Sequence, residues 1–204
     1  SEYGQKQKTE RDHIYFGTVL EHILLQNLCA FYDVGEHNEM RLHGADWNDA
    51  LDMAWEKGES VAFTCAYAGN LRNIAKTLRQ LEEISGSSKI EIAHEMEDLL
   101  AGSVELYEDA ARKQALLAGY AKKCEHNISG DTIVVRLDQL AANLEGKADW
   151  MMKNIRANEW VKDGEDGWFN GYYDNHGRKV EGVMDESVRM MLTGQVFAIM
   201  SGTA

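Results

Sequence analysis

Proline is missing from all 204 positions of the sequence, whereas an average usage of about 5% would supply roughly ten. Proline-rich linkers and multi-turn β-sandwiches depend on this residue, so its absence argues against both classes. Helices joined by turns of glycine, asparagine and aspartate do not need proline. The composition therefore favours a mostly helical chain.

Basic residues and cysteine are also scarce. Lysine and arginine total 21 against 34 acidic residues, and the resulting net charge of −13 repels nucleic acid and anionic membrane surfaces. No run of about 18 apolar residues is present, so we expect no membrane insertion. The three cysteines, Cys29, Cys65 and Cys124, are widely spaced, which is typical of free thiols in a reducing compartment. We therefore expect a cytoplasmic protein that has neither nucleic acid nor membrane as a partner.

Apolar residues recur at spacings of three and four along much of the chain, which is the pattern of amphipathic helices. This pattern predicts helices over residues 14–32, 61–85, 89–101, 103–126, 133–157 and 188–200. Long helices in series with short breaks are typical of helical hairpins.

Two segments break the helical pattern. Residues 33–47 are polar and rich in turn formers, which predicts a long loop. Residues 159–182 are rich in aromatic residues and glycine, and residues 174–177 read Asp-Asn-His-Gly, a turn signal. We therefore predict a short β-hairpin near residues 166–182.

The residues best suited to chemistry cluster at the end of the polar loop. Asp46 and Asp49 flank Trp47 and Asn48. An aromatic face can stack on a pyranose ring, carboxylates and an amide can bind its hydroxyls, and one acid can protonate a leaving oxygen. Helix capping together with a solvated acidic face is the alternative interpretation.

Three segments resemble one enzyme family in the same order along the chain. Residues 44–49 read Gly-Ala-Asp-Trp-Asn-Asp and precede Glu-Ser-Val at 59–61, which resembles the Gly-x-Asp-Trp-Asn-Asp segment of inverting glycoside phosphorylases. Residues 168–182 resemble that family's Trp-aromatic-x-x-x-Tyr-Asp-x-x-Gly hairpin. Residues 192–202 resemble its Leu-x-x-Gln helix, which ends in Ser-Gly. The family is typified by cellobiose and chitobiose phosphorylases and includes the phosphorylase part of cyclic β-1,2-glucan synthases.

This resemblance implies an all-α catalytic domain, an α/α barrel of six helical hairpins with the active site in the loops at one end. Such a barrel needs twelve helices, whereas the periodicity here supports about six or seven. The chain also begins at Ser1 and ends within an apolar run. We therefore interpret residues 1–204 as one partial barrel domain, a fragment of a longer chain, with the short β-hairpin inserted in it.

The resemblance also implies roles for the residues of the first segment. The family's general acid corresponds to Asp49, while Asp46 and Trp47 would shape the subsite of the transferred sugar and Asn48 would orient the loop. Phosphate attacks from the opposite face, which yields a sugar 1-phosphate of inverted configuration and a shortened acceptor. The expected substrates are a β-linked gluco-oligosaccharide and inorganic phosphate, with no other cofactor and no metal.

Four further residues are candidates for substrate binding, each with a structural alternative. His43 would form a pocket wall or support one, and it shares the acidic loop with His37 but no metal-ligand spacing. Glu59 supports the catalytic loop or supplies charge to a helix N-terminus. Tyr173 lines the site or packs the hairpin. Gln195, on an apolar helix, contacts a sugar or makes a structural hydrogen bond.

Two other functions stay open at this point. An inverting hydrolase on the same barrel would need a second carboxylate about 6.5–9.5 Å from the acid, and a noncatalytic helical scaffold that binds carbohydrate or protein would not need a tryptophan between two acids. Ala50, Asn170 and Phe197 depart from the family's pattern, which favours a branch acting on β-1,2- or β-1,3-linked substrates. The family's phosphate-binding segments have no counterpart here, so we expect the fragment alone to be inactive. The oligomeric state, a homodimer included, is open.

Overall fold

The computed structural model describes residues 6–44, 49–184 and 187–204, with the backbone alone at residues 49–51. Its α-helices are α1 (Val19–Tyr32), α2 (Val61–Ser85), α3 (Val104–Tyr107), α4 (Ala110–Cys124), α5 (Leu137–Asn158) and α6 (Leu192–Ser201). Two 3₁₀ helices cover Asp49–Ala54 and His94–Leu100. In these ranges no helix combines the length and apolar character that crossing a bilayer requires.

Short strands pair into five small sheets within the described ranges. In chain order they are β1 (Lys8–Thr9), β2 (Met40–Arg41), β3 (Glu59–Ser60), β4 (Lys89–Ala93), β5 (Asn127–Ile128), β6 (Thr132–Arg136), β7 (Trp160–Asp163), β8 (Asp166–Phe169), β9 (Tyr172–Tyr173), β10 (Gly182–Met184) and β11 (Ser187–Arg189). β1 runs parallel to β5, whereas β4–β6, β7–β8 and β10–β11 are antiparallel pairs. β2, β3 and β9 form a three-stranded antiparallel sheet.

Capping residues set the ends of the main helices. At the start of α1 the Thr18 hydroxyl accepts a hydrogen bond from Glu21 N (3.0 Å), and at the start of α2 Ser60 Oγ accepts one from Phe63 N (3.0 Å). α2 ends at Gly86, whose φ of +67° is the left-handed conformation that glycine adopts without strain. The predicted helix over residues 61–85 is confirmed, and the first helix begins later than residue 14 because its cap lies at Thr18.

The hydrophobic core lies between α1, α2, α4 and α5. α2 and α5 pack against each other and bury leucines such as Leu71, Leu78 and Leu144. Each buried leucine contributes about 2 kcal/mol to folding. Two lysines, Lys113 and Lys147, are also buried in this core, which apolar periodicity does not indicate.

Two helix pairs, α1–α2 and α5–α6, place their connecting loops at one end of the molecule. At the start of α2, Ala62 N donates a hydrogen bond to Gly171 O (3.2 Å), and a Cβ added to Gly194, at the start of α6, would lie only 3.1 Å from Gly171 Cα. Farther along, Gly69 of α2 lies against Ser201 of α6. α2 and α6 therefore run in the same direction. The first loop (residues 33–60) and the second loop (residues 159–191) meet where these helices begin.

The fold mixes helices with small sheets and is not the all-α class that the sequence predicts. Residues 89–101 form β4 and a 3₁₀ helix instead of an α-helix, and the predicted helix over 133–157 starts with β6. In the ladder between them Ile90 pairs with Val135 and Ile92 with Ile133. β-Branched residues at alternate positions favour a strand. The helix prediction comes from the following residues, because Ile92, Met96, Leu99 and Leu100 recur at helical spacing.

Two other boundaries differ for local reasons. The predicted helix over residues 103–126 is divided into α3 and α4, because the carboxylate of Asp109 accepts a hydrogen bond from Arg112 N (2.9 Å) and so starts a new helix. The last helix begins at Leu192, after β11, whereas the apolar pattern extends back to Val188.

The predicted hairpin near residues 166–182 is displaced along the chain. β7 and β8 pair around Gly164, whose φ of +61° suits a tight turn, so this hairpin comes first. Residues 174–177 do reverse the chain direction, and Tyr173 pairs with Lys179 across that turn through a single antiparallel bridge.

Candidate functional site

A three-stranded sheet brings two of the motif segments together. In this sheet β3 lies between β2 and β9, with Glu59 opposite Tyr173 and Ser60 opposite Tyr172. On its other edge, Met40 pairs with Ser60. Two of the candidate site residues, Glu59 and Tyr173, therefore lie side by side at the end of the molecule where the two loops meet.

The segment that follows the proposed acid is tied to the turn of the second loop. The amide oxygen of Asn175 accepts hydrogen bonds from Glu56 N (2.8 Å) and Lys57 N (2.9 Å). Asn175 N in turn donates to Met53 O (2.7 Å). These bonds hold the end of the 3₁₀ helix that Asp49 begins.

For four of the candidates the side chain is not described. Asp46, Trp47 and Asn48 fall outside the described residues, and for Asp49 the structure gives the backbone alone. Their predicted roles therefore stay predictions.

Glu59 is buried and holds the preceding turn of the first loop in place. Its carboxylate accepts hydrogen bonds from His37 N (3.1 and 3.2 Å), Glu39 N (3.1 Å) and the Nδ1 atom of His37 (2.8 Å). Gly35 is needed here because a Cβ at that position would lie 2.3 Å from the carboxyl carbon of Glu59. The carboxylate is thus enclosed by backbone and imidazole N–H groups, which stabilise its charge.

Tyr173 connects this turn to a second buried acid. Its ring stacks on the His37 imidazole, with centroids 3.7 Å apart and planes 10° from parallel, and its hydroxyl donates to Glu159 Oε1 (2.8 Å). The other oxygen of Glu159 accepts from Asn170 Nδ2 (3.1 Å) and lies 3.3 Å from Lys179 Nζ. Burial and the charge of Glu159 raise the pKa of the Tyr173 phenol, so it stays a hydrogen-bond donor.

Two further buried acids, Glu39 and Glu181, lie near the sheet. Burial, reinforced by the charges of Glu159 and Glu59, raises the pKa of Glu39 well above its usual value. Burial raises the pKa of Glu181 to about 7, and its Oε1 accepts a hydrogen bond from Gly171 N (3.1 Å). Sequence reasoning missed Glu39, Glu159 and Glu181, because isolated glutamates in loops and at helix ends carry no signal of burial.

His43 and Gln195 already have protein partners. His43 is half exposed, has a positive φ of 51°, and its Nε2 lies 2.5 Å from Asp33 Oδ2. Gln195 makes two hydrogen bonds to the backbone of Phe169, donating to its carbonyl (2.7 Å) and accepting from its N–H (3.0 Å). Gln195 therefore fastens α6 to β8, which is the structural alternative considered for it.

A polar cavity of about 490 Å³ opens beside the sheet. Its walls include His37, Arg41 and Lys57 from the first loop and Asn175 and His176 from the second. Glu36, Glu56 and Glu59 also line it. The volume lies in the range of small-molecule sites, and this mixture of amide, imidazole, cationic and carboxylate groups suits a ligand rich in hydroxyl groups. Across the described side chains, no group of three or more histidines, cysteines or acids could hold a metal ion.

Comparison with known proteins finds a similarity to a glycoside phosphorylase. The chain is 26% identical over 190 residues to a solabiose phosphorylase of Paenibacillus borealis. That alignment covers 92% of this chain but only 17% of the relative's length. No family model matches. The chain is thus similar, over most of its length, to one part of a glycoside phosphorylase.

Proposed function

We propose that this chain supplies the general-acid region of an inverting glycoside phosphorylase that cleaves a β-linked gluco-oligosaccharide. In this reaction Asp49 gives its proton to the glycosidic oxygen as the bond from that oxygen to the anomeric carbon breaks. A phosphate oxygen forms the new bond to the anomeric carbon from the opposite face. The products are a sugar 1-phosphate of inverted configuration and a shortened acceptor.

The bonds of Asn175 are the observation that carries this proposal. They join the 3₁₀ helix that Asp49 begins to the turn of the second loop, so two motif segments that are distant in sequence meet beside one polar cavity. The similarity to a solabiose phosphorylase supports the same assignment independently. In the proposal Asp46 and Trp47 shape the subsite of the transferred sugar, and Asn48 orients the loop.

Phosphate needs no second carboxylate to activate it, because it is already an anionic nucleophile. This distinguishes the proposed reaction from hydrolysis, in which a base must activate water. We propose that the phosphate-binding groups and the remaining hairpins of an α/α barrel lie outside these 204 residues.

Replacement of the acid tests this assignment in the full-length protein that contains these residues. We expect Asp49→Asn to lower kcat for a β-linked gluco-oligosaccharide by roughly 10²–10⁴-fold, the usual contribution of a general acid. The same variant should lose little activity on a dinitrophenyl β-glucoside, because that leaving group departs without protonation. Release of sugar 1-phosphate and of dinitrophenolate are the two readouts.

Asp52→Asn is the matched control, since the same change is made in the same 3₁₀ helix at an exposed side chain. It should leave both rates near those of the unmodified protein. Undiminished turnover by Asp49→Asn, or equal losses on both substrates, would show that Asp49 is not the acid.

A further inference from the structure

The imidazole of His37 is held in a single orientation by two buried partners. Its Nδ1 atom lies 2.8 Å from a carboxylate oxygen of Glu59, and one ring face lies against Tyr173 at 3.7 Å. Both partners are themselves fixed, Glu59 by backbone N–H groups and Tyr173 by its hydrogen bond to Glu159. An exposed loop histidine without a function would not need this support.

The hydrogen bond to Glu59 also decides which ring nitrogen carries the proton. The Glu59 carboxylate already accepts from the N–H groups of His37 and Glu39, so it acts as an acceptor toward Nδ1 as well. Nδ1 is therefore protonated, and in the neutral imidazole Nε2 presents a lone pair.

The Nε2 side of the ring lies beside Gly177, which is another wall residue of the polar cavity. His37 is a wall of that cavity and its side chain is 30% exposed. A Cβ added to Gly177 would lie 3.2 Å from His37 Cε1 and 3.8 Å from Nε2. A glycine at this position therefore leaves the Nε2 edge accessible. Among the described residues Nε2 has no hydrogen-bond partner, whereas Nδ1 has one.

We infer that His37 Nε2 binds a hydroxyl of the gluco-oligosaccharide in this cavity, with Glu59 and Tyr173 as its positioning residues. The inference rests on the proposed function and adds a sugar-binding group to it. A sugar hydroxyl is the fitting ligand because it donates to the Nε2 lone pair, while the amide of Asn175 and the ring of His176 offer further hydrogen bonds on the same walls. The first loop thus carries a binding histidine as well as the proposed acid.

Two substitutions of His37 separate binding from structural support. In His37→Asn the side-chain amide can replace the Nδ1 donor to Glu59 but leaves nothing at the Nε2 position. In His37→Gln the longer amide reaches the Nε2 position. Both lose the stacking on Tyr173 to a similar degree, so their difference reports on the Nε2 group. His94→Asn is the control, because His94 is a half-exposed histidine on the 3₁₀ helix before α3.

The readout is calorimetric binding of a series of β-linked gluco-oligosaccharides to the full-length protein without phosphate, followed by KM values for sugar and phosphate. We expect His37→Asn to raise the sugar Kd and KM by roughly 3–10-fold, as the loss of one hydrogen bond predicts, with the phosphate KM unchanged. His37→Gln should recover part of the loss, and His94→Asn should match the unmodified protein.

Equal sugar affinities for His37→Asn and the unmodified protein would overturn the inference, as would an increase confined to the phosphate KM. A loss shared equally by His37→Asn and His37→Gln, with a lowered melting temperature, would assign His37 to structure alone. If the unmodified protein binds the sugars but forms no sugar 1-phosphate, the proposed function fails while the binding comparison still decides the role of His37.

Discussion

The molecule buries ionisable side chains in two regions, and the two regions differ in the groups that surround these side chains. At the polar end, defined by Glu39, Glu59, Glu159 and Glu181, most carboxylate oxygens accept hydrogen bonds from backbone, imidazole, amide or phenol groups. In the helical core the buried cations are lysines enclosed mainly by aromatic rings. The polar end adjoins an open cavity, whereas the lysines are enclosed by aromatic rings and a few oxygen atoms.

In the helical core, the Nζ atoms of the two buried lysines contact aromatic rings and a few oxygen atoms. Lys113 Nζ lies 4.2 Å from the centre of the Phe31 ring and donates to Asn38 Oδ1 (2.8 Å). Lys147 Nζ donates to Ala101 O (2.8 Å) and lies 5.3 Å from the Tyr107 ring. Burial lowers the pKa of each lysine to about 7.

The difference teaches that burial of charge does not by itself mark a functional site. Glu59 is part of the three-stranded sheet, fixes His37 and lines the cavity, so it can position a group for a ligand. Lysines without access to solvent serve packing. Substitutions in the two regions should therefore separate binding from stability.

The largest expected effect is that of Glu159→Ala at the polar end. The change leaves the Tyr173 hydroxyl, the Asn170 amide and Lys179 without their buried acceptor. We expect the free energy of unfolding to fall by about 3–5 kcal/mol, measured by urea denaturation. Sugar affinity should fall as well, because Tyr173 supports His37.

Glu159→Gln is the companion variant, since glutamine keeps the volume and an acceptor oxygen for Tyr173. It should recover most of the stability. A Glu159→Ala protein that is destabilised but binds sugar normally would break the link between this acid and the cavity.

The next largest loss of stability is expected for a substitution of Lys147 in the helical core. Lys147→Ala removes a fully buried side chain and should cost about 2–5 kcal/mol of stability through the cavity that it leaves. Lys147→Met keeps the volume, and the Tyr32 hydroxyl still donates to Ala101 O (2.8 Å), so we expect a change below about 1.5 kcal/mol. Chemical denaturation measures both.

Sugar affinity of the folded Lys147→Met protein should equal that of the unmodified protein. A loss of sugar affinity in Lys147→Met would contradict the division between a functional polar end and a structural core.

The pH dependence of stability should have opposite signs in the two regions. Between about pH 4.5 and 7 folded Glu181 keeps a proton that the unfolded chain has released, so its contribution to stability falls as pH rises. Between about pH 7 and 10.5 the unfolded chain keeps protons that folded Lys113 and Lys147 have released, so their contribution rises with pH. Each group can change the free energy by at most about 1.4 kcal/mol per pH unit.

Urea denaturation from pH 4.5 to 10 of the unmodified protein, Glu181→Gln and Lys147→Met measures these slopes. Glu181→Gln should lose the decrease at acidic pH, and Lys147→Met should lose part of the increase at alkaline pH. If each substitution instead alters the other window, the assignment of the two regions is wrong.

The helices were predictable where long apolar stripes and caps agree. α2 shows this best, because Ser60 and Gly86 mark its two ends in the sequence itself. The strand β4 was not predicted, because its Ile92 continues into Met96, Leu99 and Leu100 at helical spacing and so joins the five residues of β4 to a helical pattern. Only the pairing of β4 with β6 in the described structure identifies the two segments as strands.

The site could be predicted in its residue types but not in its contacts. The motif segments point to Glu59 and Tyr173, yet their proximity depends on the register of β3 and β9. His37 looks like a solvent-facing histidine in a polar loop, because nothing in the sequence reveals the Glu59 carboxylate beneath it. Lys113 and Lys147 likewise resemble surface residues of amphipathic helices.

The most direct test of the account is whether cleavage consumes phosphate. The full-length protein is incubated with β-1,2-, β-1,3- and β-1,4-linked gluco-oligosaccharides, with and without inorganic phosphate, and products are followed by ³¹P and ¹H nuclear magnetic resonance. We predict one sugar 1-phosphate of inverted anomeric configuration for each bond cleaved, and no cleavage without phosphate. Free sugar released at the same rate in the absence of phosphate would contradict the account and identify a hydrolase.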